Sequence, residues 1–162
     1  NPIGAHTSAL IGELPIGVPQ NLVPFITQTS IGLRKELTVF GNNYPTRDGS
    51  CVRDYIHVVD LAKAHIKSLD KLISNKDKSY YDTFNIGTGK GTSVLELIKC
   101  FENVTENKLN FKIGDRRKGD VAECFADVSK ANKFLNWKSE ISVEDSLLSS
   151  WNWEKNINNE KL

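Results

Sequence analysis

The run Val52-Arg53-Asp54-Tyr55-Ile56-His57-Val58-Val59-Asp60-Leu61-Ala62 constrains the fold more than any other stretch, because two structural periods meet inside it. Val52, Tyr55, Ile56, Val58 and Val59 favour a strand. From Val58 onward the apolar residues change spacing: Val58, Leu61, Ala62, Ile66, Leu69, Leu72 and Ile73 recur as they do on one side of a helix. A strand passing directly into a long amphipathic helix is predicted. Asp60 falls in the first helical turn, where its charge suits the dipole. The passage holds Arg53 on a short regular element, a good mounting for a guanidinium fork that grips phosphate. Taken as a bare dipeptide, Arg53-Asp54 reads instead as a surface ion pair, and His57 as filler at a core edge.

The remaining elements follow in chain order. Residues 1–20 carry Pro2, Gly4, Gly12, Pro15, Gly17 and Pro19 with no sustained period, which predicts an irregular extended loop. Asn21 reads as the N-cap of a helix containing Leu22, Val23, Phe25 and Ile26, with Pro24 tolerated in the first turn and Gly32 helping to end it. Such a helix start presents free backbone N–H groups to an anion. Leu37-Thr38-Val39-Phe40 is a short strand with Phe40 read as core, followed by a polar loop over 41–50. A charged loop over 75–82 leads to a buried strand, Thr83-Phe84-Asn85-Ile86-Gly87. Ser93-Val94-Leu95-Glu96 is a capping box, opening a helix with Val94, Leu97, Ile98, Phe101 and Val104 on one face.

Leu109-Asn110-Phe111-Lys112-Ile113 alternates as a half-exposed strand and leads into a basic loop, Asp115-Arg116-Arg117-Lys118-Gly119-Asp120. A short helix is predicted from Ser129 to Leu135, then Trp137. Ser142 to Asp145 cap a last helix with Val143, Leu147, Leu148 and Trp151 on a shared face. Residues 1–155 read as one domain, and 156–162 as a polar, frayed tail.

The glycine-rich Gly87-Thr88-Gly89-Lys90-Gly91-Thr92 invites a nucleotide-loop reading. Its Gly-x-Gly-x-Gly spacing is one residue short of the dinucleotide fingerprint. It also lacks the leading glycine and Gly-Lys-Ser/Thr ending of a phosphate loop. It is read as a tight connection only.

Composition excludes several partners. A net charge of +1 over 162 residues gives no electrostatic case for nucleic acid or membrane, and no apolar run reaches membrane-spanning length. Cys51, Cys100 and Cys124 are an odd set without metal or redox spacing, so reduced thiols and a cytoplasmic location are the default. His6, His57 and His65 form no metal pair, and no serine sits in a nucleophile-elbow pattern. Methionine is absent, and the opening Asn1-Pro2-Ile3-Gly4-Ala5-His6 reads as the middle of a longer chain.

The segment Gly41-Asn42-Asn43-Tyr44-Pro45-Thr46-Arg47-Asp48-Gly49-Ser50, read on into Arg53-Asp54-Tyr55-Ile56-His57, resembles the UDP-glucose 4-epimerases. That family is an NAD-dependent branch of the extended short-chain dehydrogenases. The likeness runs from Asn1 to about Trp153 and corresponds to the second half of the family's sequence. It implies an α/β fold: the C-terminal, substrate-binding mixed α/β domain of an extended short-chain dehydrogenase. The last elements completing a missing Rossmann half would accompany it.

The family's Tyr-x-x-x-Lys pair is absent here. The resemblance therefore implies that catalysis and most NAD contacts belong upstream of Asn1. Family dimers, too, form mostly through that other half. The resemblance places UDP-sugar contacts at Asn1, Gln20, Asn21, Leu22, Thr38, Val39, Phe40, Arg53, Arg117 and Asp120. Gln20 stands where asparagine is frequent, and Lys118 where an acid is. Cys124 occupies a position against the sugar where a small residue leaves room for an N-acetyl group. Read from the residues alone, Arg53 and Arg117 supply bidentate forks for two phosphates, and Thr38, Val39 and Phe40 a wall for uracil. Asp120 supplies an acceptor for ribose hydroxyls. Another nucleotide-sugar dehydratase or decarboxylase, or a non-catalytic sugar-nucleotide-binding module, are the alternatives.

Overall fold

The computed structural model describes residues 1–76 and 79–159. Residues 77 and 78 of the predicted charged loop, and 160–162 of the predicted tail, lie outside the described residues.

The strand-to-helix passage is present, in two pieces. Val52–Arg53 forms one short strand and Ile56–His57 a second, from which the helix Val58–Ser74 starts without a loop. In chain order the elements are β1 (Pro2–Ile3), α1 (Leu22–Ser30), β2 (Leu37–Phe40), β3 (Val52–Arg53), β4 (Ile56–His57) and α2 (Val58–Ser74). Then come β5 (Thr92–Ser93), α3 (Val94–Thr105), β6 (Phe111–Gly114), β7 (Glu123–Cys124), α4 (Ser129–Leu135) and α5 (Val143–Asn159).

The strands pair into small sheets. β1 lies parallel to β4, so the loop predicted over 1–20 contains one short strand. β2 runs parallel to β6 from Leu37↔Phe111 to Phe40↔Gly114. β3 sits between antiparallel β5 and parallel β7. These pairings bring the loop after β6 and the strand β7 back over β2 and β3, and that return builds the site described below.

The main core lies between α1, α3 and α5. Ile26, Leu97, Ile98, Phe101 and Leu147 are its most buried side chains, and Phe101 meets Trp151 edge to face at 5.8 Å. The predicted capping box of α3 is formed in both directions between Ser93 and Glu96. Ser142 caps α5 as its sequence suggests, accepting from Asp145 N at 3.0 Å. That helix extends to Asn159, past the predicted fray at 156. Asn156 donates to Ala9 O at 2.9 Å and so ties the last turns to the first loop.

Four expectations differ from what is observed. The segment 83–87 has no regular secondary structure and pairs with no strand among the described residues. Leu148 on α5 is partly exposed, and β6 is open on both faces, with Phe111 and Ile113 reaching solvent. Finally, α2 turns its apolar stripe outward: Val58, Ile66, Leu69, Leu72 and Ile73 are exposed, whereas Asp60 and Ala64 face inward. A wholly buried aspartate in the first turn is held because its Oδ2 accepts from Glu140 N and Ile141 N, each at 2.8 Å. It thereby ties the turn before α5 to α2. A second small core of Ile56, Ala64, Ala131, Leu135 and Trp137 fills the space between α2 and α4.

His57 is neither a surface residue nor a simple filler. It is buried, and its Nδ1 accepts from Val59 N at 3.0 Å as the N-cap of α2. An Nδ1 that accepts must be unprotonated, which leaves the proton on Nε2 beside Ser149 Oγ at 3.3 Å. Burial, the largest influence on this ring, lowers its pKa from 6.5. A base whose folded-state pKa is depressed contributes stability above its unfolded pKa and loses it as pH falls through the folded one. Chemical-denaturant midpoints should therefore begin to drop just below pH 6.5, and His57→Asn, which keeps a cap acceptor that does not titrate, should remove that part of the slope.

Candidate functional site

β2, β3, the start of α1 and the loop after β6 enclose a cleft of about 390 Å³. The β2–β6 register explains one wall. Gly41 N donates to Gly114 O at 2.9 Å, closing the end of the ladder, so the chain beyond Gly114 must turn back over Phe40. Successive arginines then diverge. Arg116 stacks on Tyr44 at 4.0 Å and bonds Asn43, while Arg117 stacks on Phe40 at 4.2 Å. Phe40 is therefore not the core residue its isolation in sequence suggested: its ring is part-exposed and carries a guanidinium.

The β3–β7 pairing explains the opposite wall. It brings residues 120 and 121 against Arg53, whose Nη1 donates to Val52 O at 2.8 Å and Val121 O at 2.9 Å. Its Nη2 reaches Asp120 Oδ1 at 3.1 Å. Arg53 thus arrives in the cleft with its fork already fixed. Arg117 has no carboxylate partner among the described residues, and both arginines line the same cleft with Asp120 between them in charge.

Asn1, Gln20, Asn21 and Leu22 also line this cleft. Asn21 stands at the N-cap position of α1 with extended backbone but makes no capping bond; its Nδ2 donates instead to Glu13 Oε1 at 2.7 Å. The first-turn N–H groups of α1 are left without that side-chain acceptor. Gln20 Nε2 bonds Val18 O at 3.3 Å.

Thr38, Val39 and Phe40 all border the cleft, although Val39's side chain is buried in the core. Neighbouring strand residues point to opposite faces, so three in a row can line a cleft only along the strand's edge. Among the described residues β2 pairs with β6 alone, which leaves its other edge without a partner strand. Cys124 lies outside the lining. It is exposed on β7 directly in register with Arg53, a parallel pairing that puts it at the cleft's rim rather than in its wall.

Val18, Pro19, Cys51, Tyr55 and Val94 are among further lining residues that were not singled out as site residues. Pro2, Pro19, Val23 and Leu37 had one signal, adjacency to a residue that was singled out. Burial pushes the Tyr55 phenol far above its usual pKa, so it stays protonated and cannot act as a base at neutral pH. No cluster of metal-binding side chains occurs among the described residues. The cleft is equipped to hold an anion, not to transfer a proton.

Behind it, the glycine-rich segment has an internal purpose. Asp54, next to Arg53, is buried, and its carboxylate accepts from Thr88 N at 2.9 Å, Thr88 Oγ1 at 2.6 Å, Gly89 N at 3.1 Å and Ala126 N at 3.2 Å. A Cβ at Gly87 would collide with Asp54 Oδ2 and stand 2.9 Å from Ala126 Cβ, so glycine is required there for close approach. The loop does cradle an anion, but the anion is the protein's own. Arg53-Asp54 is accordingly not a surface pair.

The family model for GDP-mannose 4,6 dehydratase matches residues 5–149. The chain belongs to this family. Within it, the chain is 48% identical to the UDP-glucose 4-epimerase of Bacillus subtilis (strain 168) over 99% of its own length and 47% of that relative's. It superposes with a TM-score of 0.93 and 49% identity on the UDP-glucose-4-epimerase from Stenotrophomonas maltophila, solved with bound NAD and formylated UDP-arabinopyranose. That match covers 99% of this chain and 47% of that one. The Bifidobacterium longum UDP-glucose 4-epimerase, in complex with NAD+ and UDP, gives a TM-score of 0.91 at 47% identity, covering 98% and 46% of the two chains. The chain spans about half the length of the curated relatives it matches. The resemblance to UDP-glucose 4-epimerases and the α/β fold it implied both hold.

Removing the Asp54 carboxylate should strand the donors it collects. Asp54→Ala is expected to lower unfolding free energy by about 3 kcal/mol, with Asp54→Asn less damaging; urea denaturation of the two variants checks this order.

Proposed function

We propose that these residues are the C-terminal, UDP-sugar-binding part of a UDP-glucose 4-epimerase, an isomerase that interconverts UDP-glucose and UDP-galactose in galactose metabolism. The observation that carries this reading is the convergence of Arg53 and Arg117 on one cleft beside the open first turn of α1. Two guanidinium groups and a helix start match the charge and oxygen geometry of a pyrophosphate. The open edge of β2 offers peptide groups to the edge of a uracil. Because Arg117 covers part of Phe40, that edge and Thr38 would supply much of the wall. The second oxygen of Asp120 remains free to accept from ribose. A firm hold on the nucleotide, remote from the reacting carbon, positions the sugar for chemistry.

NAD would supply hydride acceptance and return at the sugar's C4. The residues here do not fit it: the one glycine-rich loop spends its donors on Asp54, and no Tyr-x-x-x-Lys is present. No redox step is assigned to them, and this portion alone should show no epimerase turnover. The rest of the parent protein would also cover the exposed apolar stripe of α2. No described helix is long and apolar enough to cross a membrane, and a cytoplasmic homodimer is the assembly this reading carries. Cys124, small and at the rim beside Arg53, extends the proposal to UDP-N-acetylhexosamines; absence of UDP-GlcNAc turnover by the full-length enzyme would remove that extension.

The family model's own description favours a second reading, a nucleotide-sugar 4,6-dehydratase. Product analysis of the full-length protein separates the two: UDP-galactose from UDP-glucose for the epimerase, a 4-keto-6-deoxy sugar for the dehydratase.

Calorimetric titration of UDP into the chain tests the site itself. Saturable one-to-one binding is expected, weakened roughly 10- to 100-fold by Arg53→Ala or by Arg117→Ala, the loss of charge-assisted hydrogen bonds. No heat of binding from folded protein, or arginine variants that bind like the parent, would overturn the assignment.

A further inference from the structure

The polar loop 41–50 carries the family resemblance, yet none of its residues lines the nucleotide cleft. Its own bonding is dense. Tyr44 N donates to Gly49 O at 2.9 Å, Thr46 Oγ1 to Ser50 O at 2.7 Å and Ser50 N to Asp48 Oδ1 at 2.9 Å. The other oxygen of Asp48 accepts from the hydroxyl of Ser93, the N-cap of α3, so the loop is tied to a helix of the main core. A loop bonded in this way is a firm platform.

The 115–120 loop is its opposite. All six residues are exposed, so burial does not hold the loop in place. One end is fixed by the Asp120–Arg53 pair. The other is fixed by Arg116, which reaches the platform: its Nε donates to Asn43 Oδ1 at 2.6 Å, its Nη2 donates to Asn43 O, and its guanidinium lies 4.0 Å from the centre of the Tyr44 ring. Gly41, at φ +86°, makes room for this stack, because a Cβ there would stand 2.7 Å from both Arg116 Cγ and the Tyr44 ring. Arg116 itself lies outside the cleft's lining, whereas the next residue, Arg117, lines it.

We propose that Arg116 is a positioning residue for nucleotide binding: docked on Asn43 and Tyr44, it holds the 115–120 loop so that Arg117 stands over the cleft before the nucleotide arrives. The inference rests on the UDP-sugar reading of the cleft and gives the 41–50 loop its part in that site. The Arg116 contacts place the backbone of Arg117, and the stack on Phe40 then sets the plane of its guanidinium. Order established before binding lowers the cost of binding, so losing the Arg116 contacts weakens the hold on the nucleotide although none of them touches it. Lysine does not replace Arg116, because an ammonium group has no planar fork to bond Asn43 twice while lying flat on a ring.

Calorimetric titration of UDP into the full-length protein and its variants tests this. Arg116→Ala is expected to weaken binding roughly tenfold, Arg116→Lys nearly as much, and Asn43→Ala roughly threefold; both sites are exposed. The deciding readout is the double variant Arg116→Ala/Arg117→Ala. A residue acting through Arg117 has nothing left to position once that guanidinium is gone, so the double variant should bind as Arg117→Ala does. A general contribution to folding, or a direct one to phosphate, would multiply the two losses. A long-range effect of charge would spare Arg116→Lys and Asn43→Ala. Parent-like binding by Arg116→Ala or Asn43→Ala, binding restored by Arg116→Lys, or multiplied losses each overturn the inference while the UDP site stands. Absence of UDP binding by the parent protein overturns the reading of the cleft, and this inference with it.

Discussion

The buried carboxylate of Asp54 is the constraint on which the site depends. Strand β3 is only two residues long and could not hold its position by ladder hydrogen bonds alone. Asp54 supplies the missing order. Its side chain gathers the 88–89 turn and Ala126, while its backbone N–H bonds Cys124 O at 3.2 Å and its carbonyl accepts from Asn1 Nδ2 at 3.4 Å. Three separate stretches are thereby fixed around the residue next to Arg53. An acceptor-only group with several lone pairs can satisfy that many backbone donors at once, and burial strengthens each bond by removing competing water. The same bonds explain the spacing of the glycine-rich segment, which matches an internal carboxylate rather than a pyrophosphate.

Much of this was legible in the sequence where a local rule decided the outcome. Strand β2, the capping box of α3, the α5 cap and the direct β4-to-α2 passage each follow from residues within a few positions of one another. The grouping of Arg53 with Arg117 was legible by resemblance and not by spacing, because it depends on β2–β6 and β3–β7 pairings between stretches some seventy residues apart.

The misreadings share a cause. Asn21 stands at the N-cap position as read, but the capping bond is not made, because Glu13, eight residues away on an irregular loop, takes its amide. Phe40 has the composition of a core residue, but an arginine returning through β6 occupies its ring. Segment 83–87 has strand composition without a partner strand among the described residues. The apolar period of α2 was read correctly as a helix, yet the period alone cannot say that the buried side holds Asp60 while the apolar stripe faces out. In every case the deciding contact is non-local, and local propensity is only a weak prior against it.

The two arginines of the cleft are prepared in different ways, and this bears on how a nucleotide would be held. Arg53 is immobilised by two carbonyls and a carboxylate, so its ordering cost is met by the fold, and an incoming phosphate meets a fork already in place. Among the described residues Arg117 is positioned by stacking on Phe40, with no carboxylate partner, which fixes the plane of the guanidinium and leaves its N–H groups available. Asp120 offsets one of the two positive charges, so the cleft keeps a net attraction for an anion. A site of this kind gains affinity from preorganisation on one side and from unspent donors on the other. On the proposed reading it would hold the nucleotide while leaving chemistry at the sugar to the rest of the parent protein, the division of labour such a reaction requires when the sugar must be free to turn.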